Sequence, residues 1–417
     1  MLIRSAVGTT ACTLLCILML ARSANGGQVL PRLEDLLARA RASAEELAAN
    51  SELAAARREL GATSARFAAG PTLGIETGPR RTNGSTDATY ADIAIDLDLP
   101  LLGRGNGREE ALAALERSGA LLPAAARLET RGRIAAAFVA AWAAEREVLL
   151  RGDDVSTVER WLQIAKRRLD QGAEAAFEVD LVAFDLEQAR AARAEALAAR
   201  AGAWGQLAVW IEPPLQDLPA VGNGERIAEP APPDLPADVD LVARFDSSPL
   251  SLALTARRDL AVALARFDLG RSQTRWALRS SLAREAEESV ARFGLAYRFP
   301  LAAERPTADQ ALAASIAAAE RQADQSLAEL KSRFASARSR FSALSAFETP
   351  SSASIDPSPE RTLGAIELRL TEGKARPSEA LVQRRAVIAA ELSRIQRHAA
   401  LLAASWELAI LTAEVLP

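Results

Sequence analysis

Few residues in this sequence are equipped to do chemistry, and their positions narrow the choice further. The only histidine is His398, and the only two cysteines, Cys12 and Cys16, lie inside the first apolar run. Without that run the chain has no thiol and a single imidazole. A cysteine nucleophile, a Cys-ligated zinc or iron–sulfur centre, a C-x-x-C redox pair and a paired-histidine metal site are therefore excluded. Carboxylates remain. Asp92, Asp96 and Asp98 fall at alternate positions of one extended segment, where oxygen ligands on one strand face can hold a divalent cation or simply line water. Glu178 and Glu379 open two helical segments. There a carboxylate is favoured by the helix dipole, and in an assembly of copies it would join a charged ring that attracts cations.

The remaining candidates have plainer explanations. Gly103-Arg104-Gly105-Asn106-Gly107 sits between a strand and a helix, as a phosphate-binding loop does. It lacks a third glycine at the required spacing, since position 108 is arginine, and Glu129, about twenty residues on, falls inside a helix instead of ending a strand. A backbone turn accounts for it. Asn83-Gly84-Ser85 matches a glycosylation acceptor and is accounted for by a hairpin turn, and His398 is expected to be structural. No carboxylate pair is set in a recognisable hydrolase site, so neither an enzyme nor a cofactor or resident metal is expected. Net charge −4 gives no electrostatic case for nucleic acid.

The elements that carry these residues follow from periodicity. Met1 to Arg4 and the apolar stretch Ala6 to Ala21 have the form of a secretory signal peptide, residues 1–26, with cleavage after Ser23 or Gly26. The run is short for a membrane span of ~20 residues, and the settings of Cys12 and Cys16 make a lipoprotein anchor unexpected. No second apolar run of spanning length follows, so insertion of the mature chain would need β-strands. Helical spacing is expected from about Leu33 to Ala69 with a break near Gly61, from Arg108 to Leu169, and from Phe177 to Trp210. The second of these would reach ~90 Å at 1.5 Å per residue, with mild interruptions at Pro123 and Gly152-Asp153-Asp154. Extended segments are expected at Thr72 to Glu76 and Tyr90 to Leu99, separated by the turn-like Gly78 to Ser85. In the second segment Ile93, Ile95, Leu97 and Leu99 alternate with Asp92, Ala94, Asp96 and Asp98, giving one apolar and one acidic face.

This order occurs twice. Leu99-Pro100-Leu101 recurs as Phe299-Pro300-Leu301, and Arg168-Leu169-Asp170-Gln171-Gly172 recurs as Arg369-Leu370-Thr371-Glu372-Gly373. The second copy has helical spacing at Leu250 to Leu269, strands near Trp276 to Leu282 and Val290 to Phe299, and helices at Thr307 to Phe347, Thr362 to Leu370 and Ser378 to Val415. The expected organisation is residues 27–212 as one repeat, 213–240 as a proline-rich linker and 241–417 as a second repeat. The fold class is mainly α with short β, each repeat running helix, strand, strand, long helix, helix. Long helices must pack along one another, with small seam residues such as Val182, Leu186, Ala189 and Ala196. Four strands cannot close a membrane barrel alone, but several copies of the chain could build one. The isoleucine face would then meet lipid and the Asp92/Asp96/Asp98 face the aqueous lumen. Trp276, Phe293, Tyr297 and Tyr90 would be interfacial aromatics.

Three motifs carry a resemblance. They are Asn50-Ser51-Glu52-Leu53-Ala54-Ala55-Ala56-Arg57, Asp96-Leu97-Asp98-Leu99-Pro100-Leu101-Leu102-Gly103-Arg104-Gly105 and Arg168-Leu169-Asp170-Gln171-Gly172. In this order, over nearly the whole mature chain, they resemble the outer-membrane efflux protein family typified by TolC, and most of all its CzcC-like branch from heavy-metal resistance pumps. The resemblance implies a homotrimer whose twelve strands form one barrel in outer-membrane lipid, continued by an α-helical barrel in the periplasm. It implies partners as well, a periplasmic adaptor and an inner-membrane pump of the RND type, with the chain as a passive exit duct for heavy-metal cations. It makes the Leu-x-x-Gly turns the periplasmic tips. Leu169, Gly172, Val179, Leu370, Gly373 and Ser378 would contact the adaptor, and Glu178 and Glu379 would be the constriction carboxylates. Phe177 stands where a Ser or Thr cap is usual, and Val382 where a second gate carboxylate often lies. The alternatives are a soluble periplasmic coiled-coil scaffold and a duct for drugs or proteins.

Overall fold

The computed structural model describes residues 32–39, 44–62, 72–82, 85–99, 105–210, 227–236, 238–272, 276–285, 288–297, 304–348 and 358–413. The leader, Asn83-Gly84, residues 100–104 and the first part of the expected linker lie outside the described residues. Two compact units account for the rest, one from residues 1–40, 133–232 and 340–406, the other from 41–132, 233–339 and 407–417. Each draws on both halves of the sequence.

The helices are α1 (Leu33–Arg39), α2 (Ala44–Ala62), α3 (Gly105–Asp170), α4 (Ala176–Ala208), α5 (Asp238–Asp246), α6 (Pro249–Ser272), α7 (Glu304–Glu348), α8 (Pro359–Thr371) and α9 (Pro377–Leu411). Gly61 is the penultimate residue of α2, which ends at Ala62, and residues 63–69 of the expected helix lie outside the described residues. Gly61 ends its turn of α2 with nothing near its Cβ position, and a cost of ~1 kcal/mol for an exposed helical glycine is outweighed by burial of Leu53, Ala56 and Leu60. Residues 40–43, between α1 and α2, lie outside the described residues. The interruptions expected in α3 are absent: it runs through Pro123 and Gly152-Asp153-Asp154. Ser156 and Thr157 hydroxyls donate back to the Asp153 carbonyl at 2.8 Å each, and Val155, Val158 and Trp161 anchor the following turn in the core.

In the unit formed by 41–132, 233–339 and 407–417, Leu53, Leu60, Leu115 and Leu260 of α2, α3 and α6 share a core whose gaps are filled by Ala56, Ala111, Ala114 and Ala263. Alanine at these seams lets backbones come close. The fully buried Ser118 Oγ, for instance, donates to Ala114 O at 2.8 Å and reaches Ala256 O at 3.1 Å. Phe245 of α5 stacks on Phe334 of α7 with centroids 4.4 Å apart.

The same unit carries one antiparallel sheet, in the order β1 (Thr72–Thr82), β2 (Ser85–Leu99), β3 (Trp276–Glu285), β4 (Glu288–Tyr297). The first hairpin is longer than its composition suggests. Gly78 to Thr82 pair with Tyr90 to Ser85, with an irregularity between Arg80 and Thr82, because ladder hydrogen bonds to β2 override local turn preference; Pro79 is tolerated on this edge strand. The β2–β3 ladder joins the two halves, pairing Tyr90 with Glu285 through Leu99 with Trp276. Register places Ile75, Ile93 and Leu282 in one row, Ile95 in Phe293's row across Ser280, and Leu278 opposite Leu295. All seven are exposed, from 38% for Leu278 to 78% for Phe293, whereas Ala94, Ser281 and Ala283 on the other face are buried.

In the unit formed by 1–40, 133–232 and 340–406, Val158, Trp161, Val182, Leu186, Ile366, Leu370 and Leu381 hold α3, α4, α8 and α9 together. Val182, Leu186, Ala189 and Ala196 are all buried, as expected of seam residues. Arg200 of α4 is buried against Glu145 of α3, and the Trp204 indole N–H reaches the same carboxylate at 3.4 Å. His398 is structural in kind. Its Nε2 lies 2.8 Å from Glu229 Oε1 and its ring 5.5 Å from Trp142, so it holds the segment containing buried Ile227 against α9.

Candidate functional site

The functional candidates collect at two turns. After α3, Gly172 has φ +69°, and after α8, Gly373 has φ +71°. Gly172 N–H donates to Leu169 O and Ala173 N–H to Arg168 O, both at 2.8 Å; Gly373 N–H donates to Leu370 O at 3.2 Å and Lys374 N–H to Arg369 O at 2.8 Å. Both are Schellman closures, which explains the Leu-x-x-Gly spacing physically. Glycine supplies the left-handed residue, and leucine, three residues earlier, offers the carbonyl while its side chain anchors the last turn. Leu370 is fully buried and Leu169 half-buried.

Only backbone conformation makes Gly172 obligatory, since nothing lies within 4 Å of its Cβ position, and at Gly373 the nearest atom, Arg168 Nη2, is at an ordinary 3.8 Å. Gly172→Ala and Gly373→Ala are each expected to cost ~1–2 kcal/mol, with asparagine milder than alanine. Chemical unfolding followed by helical circular dichroism checks this. Equal stability of the alanine variants would show that the turns do not need the left-handed residue.

Charged side chains of the first turn close on the second. Arg168 Nη1 donates to Leu370 O at 3.0 Å and Ala375 O at 3.3 Å, while its Nη2 lies 3.0 Å from Glu174 Oε2. Glu178 is 9% exposed, and its carboxylate accepts from Ser378 N–H at 3.0 Å and Ser378 Oγ–H at 3.1 Å. Glu178 therefore caps the first turn of α9, where the dipole favours it. Val179 is buried behind it, whereas Glu379, Phe177 and Val382 are exposed, the last two at 64% and 68%. Asp92, Asp96 and Asp98 lie in the other unit, on β2 opposite Ala283, Arg279 and Ala277. In backbone register Tyr90 is opposite Glu285, and Trp276 is opposite Leu99 on one side and Tyr297 on the other.

A buried charge cluster just behind the turns was not foreseen. Arg384 of α9 bonds Asp154 of α3 through Nη1 and Asp185 of α4 through Nη2, and Arg385 Nε donates to Asp185 Oδ1 at 2.9 Å. Side chains of Arg384, Asp154 and Asp185 are 4%, 4% and 1% exposed. A signal was present in the sequence, because Asp185 falls on the same helical stripe as Val182, Leu186 and Ala189, where a charge demands a partner. The identity of that partner, about 200 positions away, was not legible.

Burial pushes the Asp154 carboxyl above its ordinary value of 3.8, and the Arg384 charge and hydrogen bond offset this only in part. A carboxyl raised in the folded state contributes stability that is present below the ordinary value and lost as pH rises through the folded one. Wild type should therefore lose stability relative to Asp154→Asn as pH rises from below 3.8 to neutrality. Paired denaturation curves check this; a difference that stays constant, or moves the other way, would contradict it.

The helices and turns of one unit, with the four-stranded sheet of the other, define a class: the fold is that of outer-membrane channels built from long helices and few strands per chain. Among solved structures the chain is similar to VceC of Vibrio cholerae, an outer membrane protein (TM-score 0.66, 15% identity, 91% of this chain and 95% of that one). It is also similar to CusC, studied for transmembrane channel formation (0.61, 16%, 91% and 92%), and to the CmeC outer membrane channel of Campylobacter jejuni (0.65, 12%, 91% and 84%). No protein-family model matches the sequence, and no curated protein matches it. No described helix is long and apolar enough to cross a membrane. Among the described residues no group of three or more His, Cys, Asp or Glu is placed to hold a metal ion.

Proposed function

We propose that this protein is the passive exit duct of a tripartite efflux system, a homotrimer in the outer membrane with a long periplasmic part. The observation that supports this most directly is the sheet. Its Ile75, Ile93, Ile95, Leu278, Leu282, Phe293 and Leu295 are exposed on one face, and β1 and β4 are its edges. An apolar face of this kind needs a cover, and open edges need a partner strand. Three copies joined edge to edge supply twelve strands, close the barrel and give the apolar face to lipid.

In this assembly the two tandem repeats, 27–212 and 241–417, each contribute one hairpin turn to the periplasmic tip. Leu169, Val179 and Leu370 hold the turns from inside. The periplasmic adaptor then meets what they present, including exposed Phe177, Leu368 and Val382, and Gly172, Gly373 and Ser378 fix the backbone there. An inner-membrane pump of the RND type supplies the energy. The cargo is heavy-metal cations, as in the CzcC-like branch. With a single histidine and no cysteine outside residues 12–16, a metal in transit meets oxygen ligands such as Asp92, Asp96 and Asp98 and is not retained. Of the two constriction carboxylates, Glu379 is the exposed one.

Membrane fractionation tests this. The duct is expected to be extracted by detergent as a trimer and to conduct ions in planar bilayers. Release by salt as a soluble oligomer would overturn it in favour of a periplasmic scaffold.

A further inference from the structure

The aspartates of β2 do not stand alone in the sheet. In backbone register Asp96 is opposite Arg279 of β3, and Ala94 is opposite Ser281, which is itself opposite Arg292 of β4. Arg279 follows the exposed Leu278 along its strand, and Arg292 precedes the exposed Phe293 along its own. By the two-residue period both arginines therefore belong to the face that bears Ala94, Ser281 and Ala283, and not to the apolar one. Those three small residues are buried, so the face meets water through its longer side chains, and Arg279 and Arg292 are exposed there. The two are diagonal neighbours on adjacent strands, about 7–8 Å apart. On β2, positions 96 and 98 are separated by about 7 Å. Carboxylates at alternate strand positions can share a divalent cation, and a duct that held one would be blocked by its own cargo.

We propose that Arg279 and Arg292 are tethered counter-cations for the aspartates of β2, and that they let a divalent cation cross the barrel without being held there. A guanidinium stays charged at every pH the protein meets, and on a strand it cannot diffuse away as a bulk potassium ion does. A metal ion approaching Asp96 is therefore always opposed by Arg279, the residue in register with it, and Arg292 extends the positive charge to the next strand. A unit charge ~7 Å from a divalent cation weakens its binding by about threefold in water at 0.1 M salt. Two such charges together weaken it by roughly tenfold, with Arg279 carrying the larger part because it is nearer to Asp96. Three copies place six guanidinium groups around the lumen, so no sector of the barrel keeps its aspartates without a counter-charge. This rests on the trimeric duct proposed above and says which residues keep its cargo moving.

Block of current by Ni²⁺ in planar bilayers tests this on the full chain, extracted as the trimer, with Glu379→Gln throughout so that this exposed carboxylate does not contribute. The parent is expected to keep most of its potassium chloride current when Ni²⁺ is added. Arg279→Gln with Arg292→Gln should be half-blocked at about one-tenth of the Ni²⁺ concentration that the parent needs. Adding Asp96→Asn to that pair should return it towards the parent. Arg279→Lys with Arg292→Lys keeps both charges and should match the parent. Both arginines are exposed, so the fold is not at risk, and Arg292→Gln alone should give a smaller shift in the same direction. A conducting trimer whose sensitivity to Ni²⁺ is unchanged by the glutamine pair would overturn the counter-ion role and leave the duct standing. Equal sensitivity of the lysine and glutamine pairs would do the same. A parent chain that forms no conducting trimer overturns both.

Discussion

Replacing Arg384 with methionine is expected to destabilise the helical unit behind the turns by ~3–5 kcal/mol, the largest effect of any single change considered. Arg384 is buried between two carboxylates, Asp154 and Asp185, and is bonded to both. Methionine fills a similar volume but removes the charge that is bonded to both Asp154 and Asp185, and an uncompensated buried charge is what makes breaking such a cluster costly. Arg385 remains with Asp185 but is 55% exposed and bonds only that carboxylate. Asp154 loses the guanidinium it is bonded to and is already held above its ordinary value by burial. Chemical unfolding and hydrogen exchange across α3, α4 and α9 measure the loss. Adding Asp154→Asn and Asp185→Asn to Arg384→Met should restore much of it, because the charges left unpaired are gone. A triple variant no better than the single one would show that packing, and not charge, is what Arg384 supplies.

The second large effect is functional. Ile95→Arg is expected to abolish incorporation into the outer membrane while leaving the helical units folded. Ile95 lies on the exposed apolar face of β2, in the same row as Phe293 across Ser280. A basic residue on the lipid face of a barrel costs ~2–4 kcal/mol near the bilayer midplane. In the proposed trimer the substitution is present three times, so the penalty would be met at three points of one barrel. Outer-membrane fractionation with a trimer assay measures it, and Asp96→Asn, the next position of the same strand, is the control expected to insert normally. Normal insertion of Ile95→Arg would place that face away from lipid and remove the main support for the duct.

Much of this was legible because it depends on near neighbours. Alternation of Ile93, Ile95 and Leu97 with Asp92, Asp96 and Asp98 is a strand's two-residue period. Val182, Leu186 and Ala189 follow a helix's period, and Leu-x-x-Gly followed by a helix start is a complete local recipe for a Schellman turn. Where local composition misled, longer contacts were the reason. Gly78 to Thr82 has the makeup of a turn, but β2 supplies a ladder for it to join. Pro123 and Gly152 read as interruptions, but flanking residues in the core carry the helix through.

The sequence by itself determined the period of each element, the doubling of the pattern and the two turns, since each is set by residues a few positions apart. Tertiary structure alone decided which member of each repeated pair is used. Glu178 and Glu379 stand in equivalent local settings, yet one is buried as the cap of α9 and the other is exposed. Arg384 is bonded to Asp154 and Asp185 across separations of 230 and 199 residues. Propensity and periodicity carry no information over such distances. Burial does, because a charge removed from water must find its partner wherever packing brings one.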